Sequence, residues 1–337
     1  MKIILTGCAG FIGFHLAKKL LREKTNIVIG IDNIDNYYDI KIKKDRLKQL
    51  RKFKNFYFYK INICKKNQVE KIFSKFRNIK LVVNLAAQAG VRYSFINPDK
   101  YIDVNINGFF NMIDLSKKFN VNLFLFASSS SVYGNNKSKK LKENDNTIKP
   151  ISLYGATKLS NEIIAYTYSK LFKLNSVGLR FFTVYGPWGR PDMSLNQFVK
   201  NIISNKKISL FNRGDHIRDF TYIDDIVESL IRVIKKTATS DTNFDNSCPN
   251  PATSWSPYRI FNIGNSKPIE LIKYIAAIED SLGMKAKKKF LPMQPGDVVA
   301  TSADTTLLEN WIEFKPKTSI RIGVKRFVDW YRDFYEV

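Results

Sequence analysis

The stretch TGCAGFIG, residues 6–13, sets Gly7, Gly10 and Gly13 three apart, with Phe11 and Ile12 between the last two. It follows the β-rich run KIIL and opens a helical pattern over 12–23. A strand turning into a helix through spaced glycines lets backbone approach a diphosphate closely, and the helix start then offers N–H groups and dipole to the anion. A glycine triplet alone carries little weight; its placement after the first strand carries more. The next β-rich run, NIVIGID, ends in Asp32, 19 positions after Gly13, followed by Asn33. A carboxylate there accepts hydrogen bonds from both hydroxyls of an adenosine ribose and repels a 2′-phosphate, so the expected cofactor is NAD and not NADP.

Working outward, β-rich runs and helical patterns alternate: NFYFYKIN then 67–77, KLVVNLAA then 99–119, NLFLFASSS then 153–173, and SVGLRFFTVYG as a further strand. That alternation predicts βαβ units and a Rossmann-like, doubly wound parallel sheet, an α/β fold. Beyond residue 178 prolines, loops and aromatics become denser, as in a smaller mixed α/β substrate-binding domain. The expected division is therefore 1–178 and 179–337, with segments near 215–235 and 258–265 returning to the first part. Asn62, after the third strand, is placed near the adenine, and Leu85, Ala86 and Ala87, after the fourth, would let a cofactor lie against the backbone.

Composition excludes more than it identifies. The chain has 337 residues, 44% hydrophobic, and no run of 18 apolar residues, so no membrane helix is expected. Only seven residues precede Cys8, too few for an export signal. The scattered Cys8, Cys64 and Cys248 argue against a disulfide framework and for a reducing cytoplasm, and with two histidines no metal site is expected. The net charge of +25 would suit a nucleic acid, but 41 of the 55 basic residues are lysines dispersed along the chain. Diffuse lysine reads as solvated surface, so no nucleic-acid partner is expected.

The candidate chemistry lies in two later stretches. SLYGATKLSNE places Tyr154 and Lys158 four apart, on one face of a helix. A phenol near pKa 10 is a poor base at neutral pH, and a neighbouring ammonium favours its phenolate. Tyr154 stands 25 residues after Ser129, one of four serines in ASSSSVYG, residues 127–134.

With GIDNIDNYYD (30–39), NLAAQAGVRYSFINP (84–98), FASSSSVYG, YGATKLSNE, LRFFTVYGPWGRPDMS (179–194), RDFTYIDDI, FNIGNSKPIEL, PMQPGDV (292–298) and FVDWYRDFY, the chain resembles the extended short-chain dehydrogenase/reductase family along its whole length. Within it the chain is similar to the UDP-glucuronate 4-epimerases, through AGVRYS and RFFTVYGPWGRPDM above all. The resemblance implies that Tyr154 takes the 4-hydroxyl proton while C4 gives hydride to NAD+, and that the 4-keto sugar turns over and receives the hydride on its other face. Lys158 would hold the nicotinamide ribose and tune Tyr154, while Ser129 would bond the 4-oxygen. Related decarboxylases carry glutamate immediately before Val-Tyr-Gly, and dehydratases an Asp–Glu pair. Here Ser130 and Ser131 stand instead, which points to plain epimerisation.

The substrate carboxylate needs restraint, for which Arg190 is the candidate, a diphosphate contact or a structural ion pair being the alternatives. Arg92 and Arg218 would meet substrate anions and Thr183 the sugar, while Arg180 is expected to be structural. Residues 179–337 would mainly bind the UDP-sugar, and a homodimer through helices near 100–118 and 153–173 is implied. A 4-epimerase of another UDP-hexose or of an N-acetylhexosaminuronate, and a non-catalytic NAD-binding regulatory protein, remain open.

Overall fold

The computed structural model describes every residue except Lys137, Lys139, Asn146 and 295–297; the last fall inside the PMQPGDV motif. Its centre is a seven-stranded sheet of Lys2–Thr6 (β1), Ile27–Asp32 (β2), Phe56–Lys60 (β3), Leu81–Asn84 (β4), Leu123–Ser129 (β5), Ser176–Phe181 (β6) and Tyr258–Ile263. The strands are all parallel, and Tyr258–Ile263 closes the edge beside β6. The order from that edge is Tyr258–Ile263, β6, β5, β4, β1, β2, β3, so the winding direction reverses between β1 and β4. Crevices beyond the carboxyl ends of strands at such a reversal are where ligands bind in open α/β sheets.

The strand sequences explain why both faces are covered. Ile3, Leu5, Val83 and Leu125 point into one apolar core, and Ile4, Ile29, Val82 and Phe124 into the other. Runs that are apolar at every position need helices on both sides. Phe11–Leu21 lies against one side through Phe14, Leu16 and Ala17, whereas Lys66–Phe76 and Phe109–Lys118 supply Phe73, Phe109 and Met112 to the other.

Two parts of the pattern differ from the sequence-based expectation. SVGLRFFTVYG is not one strand: the chain leaves the central sheet at Phe181, and Thr183–Tyr185 (β7) pairs in a second, three-stranded sheet with Ile217–Tyr222. Phe182 N–H donates to the Ile263 carbonyl at the crossing point (3.2 Å), which keeps the corner hydrogen-bonded. The helical stretch over 99–119 is likewise interrupted, with Ile102–Gly108 wound as a π-helix between two α-helical pieces. Ile217–Tyr222 stays in the smaller sheet, while the following helix, Ile223–Ile234, packs on Phe11–Leu21.

Candidate active site

The turn after β1 is built so that nothing larger than hydrogen fits. A Cβ on Gly13 would stand 2.1 Å from the Gly7 carbonyl oxygen, and one on Gly7 2.9 Å from the Ala86 nitrogen, with Gly7 at φ +70°. Gly10 caps the helix without any side-chain hydrogen bond, so the N–H groups of Phe11, Ile12 and Gly13 are the unpaired first turn of that helix. They open onto a cleft whose wall also carries Asp32, Asn33, Asn62, Leu85, Ala86 and Ala87.

Asp32 ends β2, nearly buried. One carboxylate oxygen accepts from Ala9 N–H (3.0 Å) and the other from Ile34 N–H (2.8 Å). An ionised carboxylate has about four acceptor positions, so each oxygen keeps one for a ribose hydroxyl. Burial pushes its pKa up, and the two backbone donors with Lys43 and Arg46 pull against that. A free helix start, a glycine cradle and a carboxylate with spare acceptors fit the adenosine diphosphate half of NAD. Asn62 lines the same wall, its side-chain oxygen accepting from Cys64 N–H (3.0 Å).

Across the cleft stand Ser129, Tyr154 and Lys158. Ser152 caps the helix Leu153–Phe172 by accepting from Gly155 N–H (3.0 Å), which fixes Tyr154 in the first turn and Lys158 one turn later. Asn105, on the π-helix, ties that helix to the wall: it bonds Gln88 at both backbone groups and donates to Thr157, while its carbonyl accepts from Asn161. Burial raises the Tyr154 pKa, and the Ser129 hydrogen bond and Arg190 charge pull it down. Lys158 donates to the Ala127 carbonyl (2.8 Å); burial lowers its pKa to about 8, with Glu162 opposing. It is therefore mostly an ammonium at neutral pH. Arg190 adds a further positive charge that bears on the phenol.

A buried network holds this wall in place. Arg180 forks Glu162, with Nε–Oε1 at 2.9 Å and Nη2–Oε2 at 2.8 Å, and Ser128 Oγ donates to the same carboxylate at 2.5 Å. Arg180 also donates to Tyr133 Oη (2.9 Å) and the Glu143 carbonyl (3.0 Å), so its structural reading holds. Burial opposes the Arg180 charge, and Glu162 more than compensates, raising its pKa.

The arginines expected at substrate anions separate. Arg190 lines the cleft and is paired bidentately with Asp192. Arg92 does not reach the cleft wall: it is exposed, its guanidinium 4.7 Å from the Phe211 ring centroid. Arg218 also lies off that wall, donating to the carbonyls of Ile217 (3.0 Å) and Val299 (2.9 Å), where Ile217 bridges to Ala300. Thr183 borders a small adjoining cavity that shares Arg190 and Met193 with the main cleft. Tyr37, Tyr38, Lys43 and Gln88 line the cleft without having been singled out from sequence; GIDNIDNYYD contained the signal for the two tyrosines and NLAAQAG that for Gln88, while Lys43 lies in neither. Among the described residues no three His, Cys, Asp or Glu side chains group as metal ligands, and no helix is long and apolar enough to cross a membrane.

The fold and this cleft define a Rossmann-type dinucleotide-binding enzyme with a Ser–Tyr–Lys constellation facing the cofactor turn. Residues 3–264 match the model of the NAD dependent epimerase/dehydratase family, and the chain belongs to that family. It is 50% identical to Protein CapI of Staphylococcus aureus over all of both chains. It is 40% identical to the probable UDP-glucuronate 4-epimerase of Rhizobium meliloti, over 99% of this chain and 98% of that one. Among solved structures it resembles the UDP-glucuronic acid 4-epimerase of Bacillus cereus in complex with UDP-glucuronic acid and NAD. There the TM-score is 0.88 and the identity 31%, over 99% of this chain and all of the other.

Proposed function

We propose that this chain inverts C4 of UDP-glucuronate to give UDP-galacturonate, through a 4-keto intermediate and with NAD as a recycled cofactor. The observation that carries the reading is the meeting of Ser129, Tyr154, Lys158 and Arg190 in one cleft with the Gly7–Gly13 turn. When bound, NAD+ supplies the acceptor and later the donor of the C4 hydride, together with a positive charge near the phenol.

The protein supplies the rest. Tyr154 Oη takes the proton of the sugar 4-hydroxyl and returns it after the sugar has turned. Ser129 Oγ, on the same wall of the cleft as that phenol, bonds the 4-oxygen and keeps the proton path short. Lys158 holds the ribose next to the reacting face, its ammonium anchored on the Ala127 carbonyl. Arg190 grips the C5 carboxylate. A 4-keto uronate is a β-keto acid, and holding the carboxylate near the ring plane keeps the C5–C6 bond out of overlap with the C4 carbonyl. Ser130 and Ser131 bring no acid or base to C5 or C6, so neither dehydration nor assisted decarboxylation has a protein group to support it.

The exposed Phe110, Ile163, Leu171 and Phe172, on the helices Phe109–Lys118 and Leu153–Phe172, supply an apolar face for a second copy of the chain. Sedimentation analysis tests that part, with a monomer at micromolar concentration as the contrary result. The activity is tested by chromatography of UDP-glucuronate, UDP-glucose and UDP-N-acetylhexosamine after incubation with enzyme and NAD. Conversion of UDP-glucuronate to UDP-galacturonate is expected; turnover of one of the others alone would replace this reading.

A further inference from the structure

Arg190 does not stand alone in the cleft. Its Nε and Nη2 both donate to the Asp192 carboxylate, at 3.0 and 2.5 Å, and its guanidinium lies 5.7 Å from the Tyr37 ring centroid. The Tyr37 phenol stands near the same carboxylate, and the two bear on each other: Asp192 helps burial raise the phenol's pKa, and Tyr37 helps Arg190 hold the carboxylate's pKa down. Two further bonds fix the backbone of this short turn: Asn196 Nδ2 donates to the Arg190 carbonyl (3.0 Å) and Gln197 Nε2 to the Asp192 carbonyl (3.1 Å). The Tyr37 hydroxyl lies close over Gly90, where a Cβ would stand 2.7 Å from its oxygen.

A guanidinium has five N–H donors on a rigid plane, enough for two carboxylates on different edges. Asp192 occupies the side edge formed by Nε and Nη2. The end edge, Nη1 with the second Nη2 hydrogen, has no partner within hydrogen-bond distance among the described residues. We propose that Asp192 is a positioning residue, holding Arg190 by its side edge so that the end edge meets the substrate carboxylate, with Tyr37 steering Asp192. This rests on the reading of Arg190 as the carboxylate grip.

The consequence is control over a side reaction. In the 4-keto intermediate decarboxylation breaks the C5–C6 bond and releases CO2. The bond pair passes into the C4 carbonyl as an enolate, C5 takes a proton, and hydride return then gives a UDP-pentose. An Arg190 free to rotate holds the carboxylate less firmly in the ring plane and lets that reaction compete.

The test compares the wild-type enzyme with Asp192→Asn, Tyr37→Phe and Arg190→Ala, each loaded with NAD. The readouts are KM and kcat for UDP-glucuronate, the UDP-pentose share of product, and the Kd of UDP, which lacks the sugar. Loss of one charge-assisted contact corresponds to a KM about 10-fold higher in Asp192→Asn, with a larger UDP-pentose share. Tyr37→Phe should move the same two readouts less, and the Kd of UDP should stay within about twofold. Unchanged KM and product share in Asp192→Asn, with both altered in Arg190→Ala, would overturn the role of Asp192 and leave the Arg190 reading standing. Both variants behaving as wild type would overturn the Arg190 reading, and the proposal with it. Weakened UDP binding in Asp192→Asn would also overturn it, by showing a general disturbance of the site.

Discussion

Replacing Glu162 by glutamine isolates what the buried network does. The carboxylate accepts from Arg180 Nε, Arg180 Nη2 and Ser128 Oγ, and the two side chains of the pair are 0% and 5% exposed. Glutamine keeps the shape but removes the charge and turns an amide N–H₂ towards a guanidinium that cannot reach water. Removing one partner of a buried pair costs about 3–5 kcal/mol. With a guanidinium m-value of roughly 4–6 kcal/mol/M for a chain of this size, the unfolding midpoint should fall by roughly 0.5–1 M.

A second substitution separates charge from packing. Arg180→Met in the Glu162→Gln background removes the orphaned cation, and replacing a whole buried pair by apolar groups is often close to neutral. The double variant loses the Arg180 bonds to Tyr133 and the Glu143 carbonyl, about 1 kcal/mol each, yet it should be more stable than Glu162→Gln alone. The catalytic wall moves as well, because Ser128 adjoins Ser129 and Glu162 lies one turn from Lys158. A displacement of that kind lowers kcat by ~10- to 100-fold. Guanidinium titrations of Glu162→Gln, Arg180→Met and the double variant decide the matter. A Glu162→Gln midpoint equal to wild type, or a double variant whose loss equals the sum of the singles, would refute the reasoning.

Other substitutions probe the remaining parts. Gly13→Ala places a methyl 2.1 Å from the Gly7 oxygen, so the turn must open; calorimetric NAD titration should show affinity at least about 10-fold weaker, against an unchanged Kd if the turn is not the cofactor cradle. Burial raises the Glu143 pKa from an ordinary 4.5 to about 7, so the folded state favours the protonated acid. That stability is fully present below pH 4.5 and is lost as pH rises through about 7, by up to about 3 kcal/mol. Relative to wild type, Glu143→Gln should therefore gain stability between pH 5 and pH 8; a constant difference across that range would contradict it. Tyr154→Phe should lower kcat by ~10²–10⁴-fold with little change in KM, and retained turnover would remove Tyr154 from the chemistry.

Much of the fold was legible because its signals are local. Apolar runs such as IVIGID and LFLFA can only be buried strands, the glycines of TGCAGFIG admit one kind of turn, and Tyr154 and Lys158 share a face by helical spacing alone. The switch of sheets at Phe182 was not legible, since RFFTVY is β-rich throughout and the break depends on Ile263 arriving from 81 residues further on. Nor was the fate of the arginines. Type and motif place Arg92, Arg190 and Arg218 alike near an anion, but only the folded chain shows Arg190 on the cleft wall, Arg92 over the Phe211 ring and Arg218 donating to the Val299 carbonyl. The Arg190–Asp192–Tyr37 set joins positions 37, 190 and 192, and only the folded chain brings the first beside the others.

The central claim is that one hydride leaves C4 and returns to the same carbon. UDP-glucuronate carrying deuterium at C4 should give UDP-galacturonate that retains the label at C4, with no net NADH released. Deuterium lost to solvent during conversion, or NADH formed in proportion to product, would contradict it.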